Sequence, residues 1–311
     1  MAFRLDPALP LRPEIVRAAR EQIETAIAAS TKDRGSLKQR IHEARTRCKK
    51  VRALLKLVRR EDEGWCSREN RRLGDAARAL SPLRDTAVML DTLKLLRGAG
   101  RDRLSSRIHE AMRTALAASR GATVSGRTGA PPRLRAFAKE VRMTLHRLDR
   151  WRAPDDFGVV VAGLRRGYAR GRSALRTARK RNSAVAFHEW RKAAKAYCYQ
   201  CQALRGAWPS AMKPLVKELS ELGDQLGLEH DLSVFREQLK ARHEESGLKI
   251  HHVILAETLR AAAACRRELR TRALACGERL FAEKPKAVAA RISRWWRLAR
   301  REAAQAALPA G

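Results

Sequence analysis

One helical pattern occurs twice in this chain, and at one fixed spacing. His188-Glu189-Trp190-Arg191-Lys192-Ala193-Ala194-Lys195 stands 146 residues after His42-Glu43-Ala44-Arg45-Thr46-Arg47-Cys48-Lys49, with His, Glu, Arg and Lys at the same relative places. A second block keeps the same offset without a gap, pairing Leu80 with Leu226, Asp85 with Asp231, Val88 with Val234 and Leu93 with Leu239. Two blocks sharing one offset read most simply as two similar helical bundles in tandem, related by approximate two-fold symmetry. At about 100° per residue, His42, Arg45 and Lys49 form one stripe, extended by Arg52 and Lys56, with Lys50 beside it. His188, Arg191 and Lys195 form the matching stripe, with Lys192 beside it. An apolar stripe runs alongside each: Ile41, Cys48, Val51 and Leu55 in the first copy, Phe187, Ala194, Tyr197 and Cys201 in the second. Each helix should therefore bury one face and present a row of cations next to it. Two bundles packed about a two-fold axis would bring both rows to one shared groove.

The remaining chain is helical by pattern. Strand-like alternation is absent and Ala, Leu, Arg and Glu dominate, so the expected fold class is all-α, with long helices and a basic central groove. The first stripe helix is expected to run to about Glu61 and to break at Gly64, with a further helix over about Ser67 to Leu80. Residues 119–132 (SRGATVSGRTGAPP) read as a surface loop, and Ala153-Pro154 as the boundary between a first half, 1–153, and a second, 154–311. The second half opens with a very basic helix, Phe157 to about Arg181, which carries Arg165, Arg166, Arg172, Arg176 and Arg179 with Tyr168 nearby. Ser36 and Asn182-Ser183 are candidate caps for the two stripe helices. A helix from Pro209 is expected to end near Gly227, where Glu229-His230-Asp231 opens another. Asp85 and Asp231 would then sit at helix starts, as carboxylates that complement the dipole.

Charge narrows the partner. The chain of 311 residues holds 67 Lys and Arg against 33 acidic residues, a formal net charge of +34, and 51 of the 67 are Arg. Such a surplus opposes compaction unless a polyanion or counterions offset it, and arginine favours bidentate contact with phosphate or carboxylate. The six cysteines lie mostly in helical patterns, and the single CxxC spacing, Cys198 and Cys201, has no second pair. They read as reduced, packed thiols, with Cys198 placed along the basic stripe. With neither a signal-like apolar segment nor a run long enough to span a bilayer, the protein is expected to be cytoplasmic, without membrane association.

The paired H-x-x-R-x-x-x-K helices, each followed by an (R/H)-D motif at Arg84-Asp85 and His230-Asp231, resemble the CHAD family, the conserved histidine α-helical domain. Gly163-Leu164-Arg165-Arg166-Gly167-Tyr168, Gly277-Glu278-Arg279-Leu280-Phe281 and Trp295-Trp296 extend the likeness over nearly the whole chain. The resemblance implies two four-helix bundles flanking a basic groove that binds inorganic polyphosphate, in a protein associated with polyphosphate granules. Two departures stand out: Cys198 precedes Tyr199 where the family usually has Arg, and His230 stands where the first copy has Arg84. Many relatives carry a triphosphate-tunnel metalloenzyme domain ahead of this module, whereas here a stand-alone version is expected.

Polyphosphate is a flexible polyanion without bases, and binding it needs an extended array of cationic donors. His42, Arg45, Lys49, Lys50, Arg52 and Lys56 supply one row. His188, Arg191, Lys192 and Lys195, with Tyr199, supply another, and Arg165, Arg166, Arg172, Arg176 and Arg179 a third. No metal site is expected, because Arg occupies the i+3 place after both His42 and His188 and repels a cation. No phosphate loop or nucleophile pattern marks an enzyme, and no cofactor is expected. The alternatives are a non-specific nucleic-acid binder, for which the rows offer few aromatics to stack on bases, and a polyphosphate or triphosphate phosphohydrolase.

Overall fold

The computed structural model describes residues 3–31, 35–81, 85–97, 103–118, 130–244 and 250–307, with the backbone alone for 85–88. The fold class is all-α. Eleven α-helices are found among the described residues and no strand: α1 Leu11–Thr31, α2 Leu37–Val58, α3 Glu63–Ala79, α4 Asp85–Lys94, α5 Ser106–Ala118, α6 Ala130–Leu148, α7 Phe157–Arg181, α8 Ala184–Ala203, α9 Pro209–Glu244, α10 His252–Leu280 and α11 Pro285–Ala306. The expected loop at 119–132 lies outside the described residues up to 129, and Ala130 to Pro132 already form the first turn of α6, where proline needs no donor.

Local chemistry sets the helix starts. Ser36 caps α2 through a reciprocal pair: its Oγ accepts from the Gln39 N–H, and Gln39 Oε1 accepts from the Ser36 N–H at 2.9 Å. Ser183 Oγ accepts from the Ala186 N–H at 3.2 Å and starts α8. The Asp62 carboxylate accepts from the Trp65 N–H at 3.1 Å, so α3 begins at Glu63. Gly64 therefore sits inside the first turn of α3 instead of ending α2, which stops at Val58.

Packing follows the apolar stripes. Ile41, Cys48, Val51 and Leu55 on α2, and Phe187, Ala194, Tyr197 and Cys201 on α8, are all buried. In the first half, α1 and α3 each pack on α2 and α6. In the second, α7 packs on α8, α8 on α9, α9 on α10, and α10 returns to α7. α2 crosses both α7 and α8, and one hydrophobic core runs continuously from Ile15 and Val51 to Tyr168 and Trp190. The α2–α7 crossing is close: a Cβ on Gly163 would stand 1.7 Å from the Leu57 carbonyl oxygen, so no other residue fits there. α4 and α5 pack instead on α9 and α10, where Met89, Leu93, Met112, Phe235, Leu239 and Leu255 build a second core.

The break expected near Gly227 is not present. α9 continues from Pro209 to Glu244, because Leu222, Leu226, Leu232 and Phe235 keep one face buried through that point. Glu229, 1% exposed, is also held from α10 by Arg266 at 2.8 Å and Arg270 at 2.7 Å. A mid-helix glycine costs about 1 kcal/mol, far less than that burial and pairing return.

Candidate functional site

A cavity of about 440 Å³ opens between α2, α3, α8 and α9 and reaches Met89 of α4. Arg45, Lys49 and Arg52 line it from α2, His188, Arg191 and Lys192 from α8, and His230, Asp231 and Gln238 from α9. A second cavity of about 130 Å³ shares Lys49, Arg52, Arg191 and Lys192 with the first and adds Lys56, Lys195 and Tyr199. A third, of about 280 Å³, shares Lys56 and Lys192 with the second and adds Arg59, Arg166 and Arg170. Shared walls make the three adjoin in a row. Among the described residues no carboxylate lines the second or third.

Several of these cations are held in place. Arg45 Nη1 donates to the Ala77 carbonyl at 2.6 Å and to Ser81 Oγ at 2.5 Å, which ties α2 to the end of α3. Arg52 Nε donates to Asn70 Oδ1 at 3.2 Å, and its guanidinium lies over Gly74, where a Cβ would come within 3.0 Å. Lys195 Nζ pairs with Asp224 at 2.9 Å, and Lys192 with Glu189 at 2.7 Å. Glycine at 74 thus leaves room for a cation to lie flat against α3.

Crowding of like charge shapes the electrostatics. Burial, then Arg191 and Lys192, push the His188 imidazole below its ordinary pKa, which favours the neutral ring. Burial, then Arg52, Arg170, Lys192 and Arg59, bring the Lys56 ammonium down to about 8. Burial lifts the Tyr199 phenol to about 12, so it remains a neutral donor. An anion in these cavities would reverse the first two shifts.

Other residues from the expected rows lie elsewhere. Lys50 points away, its Nζ 5.5 Å from the centre of the Phe3 ring, and His42 is exposed near the start of α2, outside the walls of all three cavities. Of the five α7 arginines expected in the third row only Arg166 lines one of the three cavities; Arg165, Arg172 and Arg176 do not, and Arg179 pairs with Glu278 at 2.8 Å. Tyr168 is 2% exposed, edge-on to Tyr197 with ring centroids 5.3 Å apart. Cys198 is buried, with Sγ 3.8 Å from the Val216 carbonyl, instead of lying along the cations; its thiol is pushed up to about 11 by burial. Asp231 is not at a helix start: it lies in mid-α9 and lines the first cavity, so capping does not explain it. Of the paired Arg84-Asp85, Arg84 lies outside the described residues and Asp85 begins α4.

The sequence reading missed Arg59 and Arg170. Each had a signal, since Arg59 follows Lys56 by three residues and Arg170 follows Arg166 by four, the spacings that keep one helix face. Gln238 and Arg78 carried none, because only the packing of α9 and α3 on the stripe helices turns them inward.

The family model of the CHAD domain matches residues 14–240. The chain belongs to the CHAD family. No curated protein matches it significantly. The CHAD match contains every cavity-lining residue named above, from Arg45 to Gln238. It ends before Gly277–Phe281 and Trp295-Trp296, so α11 stands outside the matched CHAD region. Among the described residues of this CHAD chain, no group of three or more His, Cys, Asp and Glu side chains is placed to hold a metal ion. No described helix is long and apolar enough to cross a membrane.

Proposed function

We propose that the chain binds inorganic polyphosphate, without catalysis, along the row of three cavities, and that this binding carries it to polyphosphate granules. The observation that carries the reading is the composition of the walls. α2, α7 and α8 contribute Lys49, Arg52, Lys56, Arg166, Arg170 and Lys192 to the second and third cavities, and among the described residues no acidic side chain joins them. A wall of this kind suits a linear anion with a charge at every unit, because charge-assisted donors can follow it without reading any base. CHAD membership favours the same ligand.

The two-fold relation between the halves belongs to this reading. Leu11 and Phe157, Glu63 and Pro209, and Ser106 and His252 open helices 146 residues apart, the offset of the sequence repeat. Leu80 and Leu226 are both buried in the main core, and Leu93 and Leu239 both in the second. Arg45 and Arg191 line one cavity from opposite halves, as a two-fold axis between α2 and α8 requires.

The test is a competition between labelled long-chain polyphosphate and duplex DNA of equal charge over a salt series. Polyphosphate should win at every salt concentration, with discrimination kept as salt rises. Preference for DNA would favour non-specific nucleic-acid binding, and release of orthophosphate during the assay would favour a phosphohydrolase.

A further inference from the structure

Lys56 is the side chain shared by the second and third cavities from α2. Arg52 on its own helix and Arg59 just past the end of that helix flank it, Arg166 and Arg170 face the same space from α7, and Lys192 from α8. Lys49 of α2 and Arg191 and Lys195 of α8 complete the cations of the second wall. Tyr199 and Gln200 carry no charge, and α1 and α3, which also pack on α2, add no ionisable group to either wall. Among the described residues no carboxylate pairs with Lys56, whereas Lys192 and Lys195 each have one. The amine is half-buried but open to the cavity.

We propose that Lys56 is a site of covalent acylation by acyl phosphates, and that the acyl group weakens the channel at its middle. The acylation follows from the cavity alone; its effect on the channel rests on the polyphosphate reading. Desolvation and neighbouring cations are what turn a lysine into a nucleophile. With its pKa brought to about 8, about one amine in ten is neutral at pH 7, against fewer than about one in a thousand for an ordinary lysine. The cations responsible also gather the reagent: Arg52, Arg170 and Lys192 attract the phosphate of an acyl phosphate and hold its carbonyl beside the amine. The amine lone pair attacks the carbonyl carbon, a C–N bond forms, and the C–O bond to phosphate breaks. The electron pair leaves on the phosphate oxygen, and the amine proton passes to the released phosphate. Nothing is oxidised or reduced. The amide product carries no charge, so one cation disappears from the point where two cavities meet.

The experiment treats the full chain with acetyl phosphate between pH 6 and 10 and follows each lysine by peptide mass spectrometry. At pH 7, Lys56 should react on the order of tenfold faster than the exposed Lys213 and Lys286, with its rate half-maximal near pH 8. Equal rates at the three lysines would overturn the proposal, as would a Lys56 profile centred near pH 10. Lys56→Arg should remove the fast-reacting peptide and leave the other two rates unchanged, with helicity checked by circular dichroism. Saturating polyphosphate should slow Lys56 about tenfold and Lys213 hardly at all. Fast acylation that polyphosphate fails to slow supports the reactive lysine and contradicts polyphosphate binding at this channel. Polyphosphate binding without preferential acylation refutes the reactive lysine alone.

Discussion

The imidazole rings of His188 on α8 and His230 on α9 lie 4.3 Å apart between centroids, at the wall of the cavity between α2, α3, α8 and α9 and beside Arg191. Burial and the two neighbouring cations already hold His188 below its ordinary pKa. Bound polyphosphate would restore the charged ring, so binding should take up protons. Affinity is therefore expected to rise as pH falls from 7.5 to 5.5. His188→Asn should flatten that rise, as read by calorimetry in buffers of different ionisation enthalpy. The same lowered pKa acts oppositely on stability. The unfolded chain protonates this histidine first, so the folded state loses stability as pH falls below about 6.5 towards the folded pKa.

Lys56 gives a second pH window on the alkaline side. Its free ammonium titrates near 8, and bound anion raises that value. Polyphosphate affinity should fall as pH rises from 7 to 9, and Lys56→Arg should remove much of the fall. Titration of labelled polyphosphate at fixed ionic strength measures it.

Gly163 fixes the distance between α7 and α2, and through it the width of the third cavity, whose wall it shares with Lys56 and Arg166. Gly163→Ala puts a methyl group into the Leu57 carbonyl, a conflict with backbone that no rotamer relieves. It should destabilise the protein by about 3 kcal/mol, the upper part of the range for overpacking. Urea denaturation followed by circular dichroism reads the loss.

Glu229 anchors α10 under the site through Arg266 and Arg270, all but out of solvent. Glu229→Ala leaves two cations close together without their carboxylate. A loss of about 3–5 kcal/mol is expected, larger than for the exposed pair of Arg78 and Asp75. Denaturation of Glu229→Ala beside Asp75→Ala makes the comparison.

Local signals carried much of the fold. The apolar stripes of α2 and α8, the Ser36 and Ser183 caps and the all-helical class follow from period and capping chemistry that act within a few residues. What escaped was decided at long range. Gly227 looked like a helix end because the residues that keep α9 intact, Arg266 and Arg270, lie some forty positions later. Asp231 looked like a cap for the same reason. On α7 the sequence offered arginines all round, and the face turned to the cavities was chosen by the contact of Gly163 with Leu57, which has no local signature. The pair Arg45 and Arg191 was legible because the repeat itself marked it.

That pair supports the most direct test of groove binding against mere net charge. Arg45 and Arg191 line one cavity, whereas Arg294 and Arg297 stand on the exposed side of α11, outside it. Both double substitutions to alanine remove two positive charges from the chain. Polyphosphate affinity near physiological salt should drop at least about 150-fold for Arg45→Ala with Arg191→Ala, given about 1.5–3 kcal/mol for each of two charge-assisted contacts. For Arg294→Ala with Arg297→Ala the drop should stay within about threefold. Equal losses in the two double variants would contradict binding in the groove.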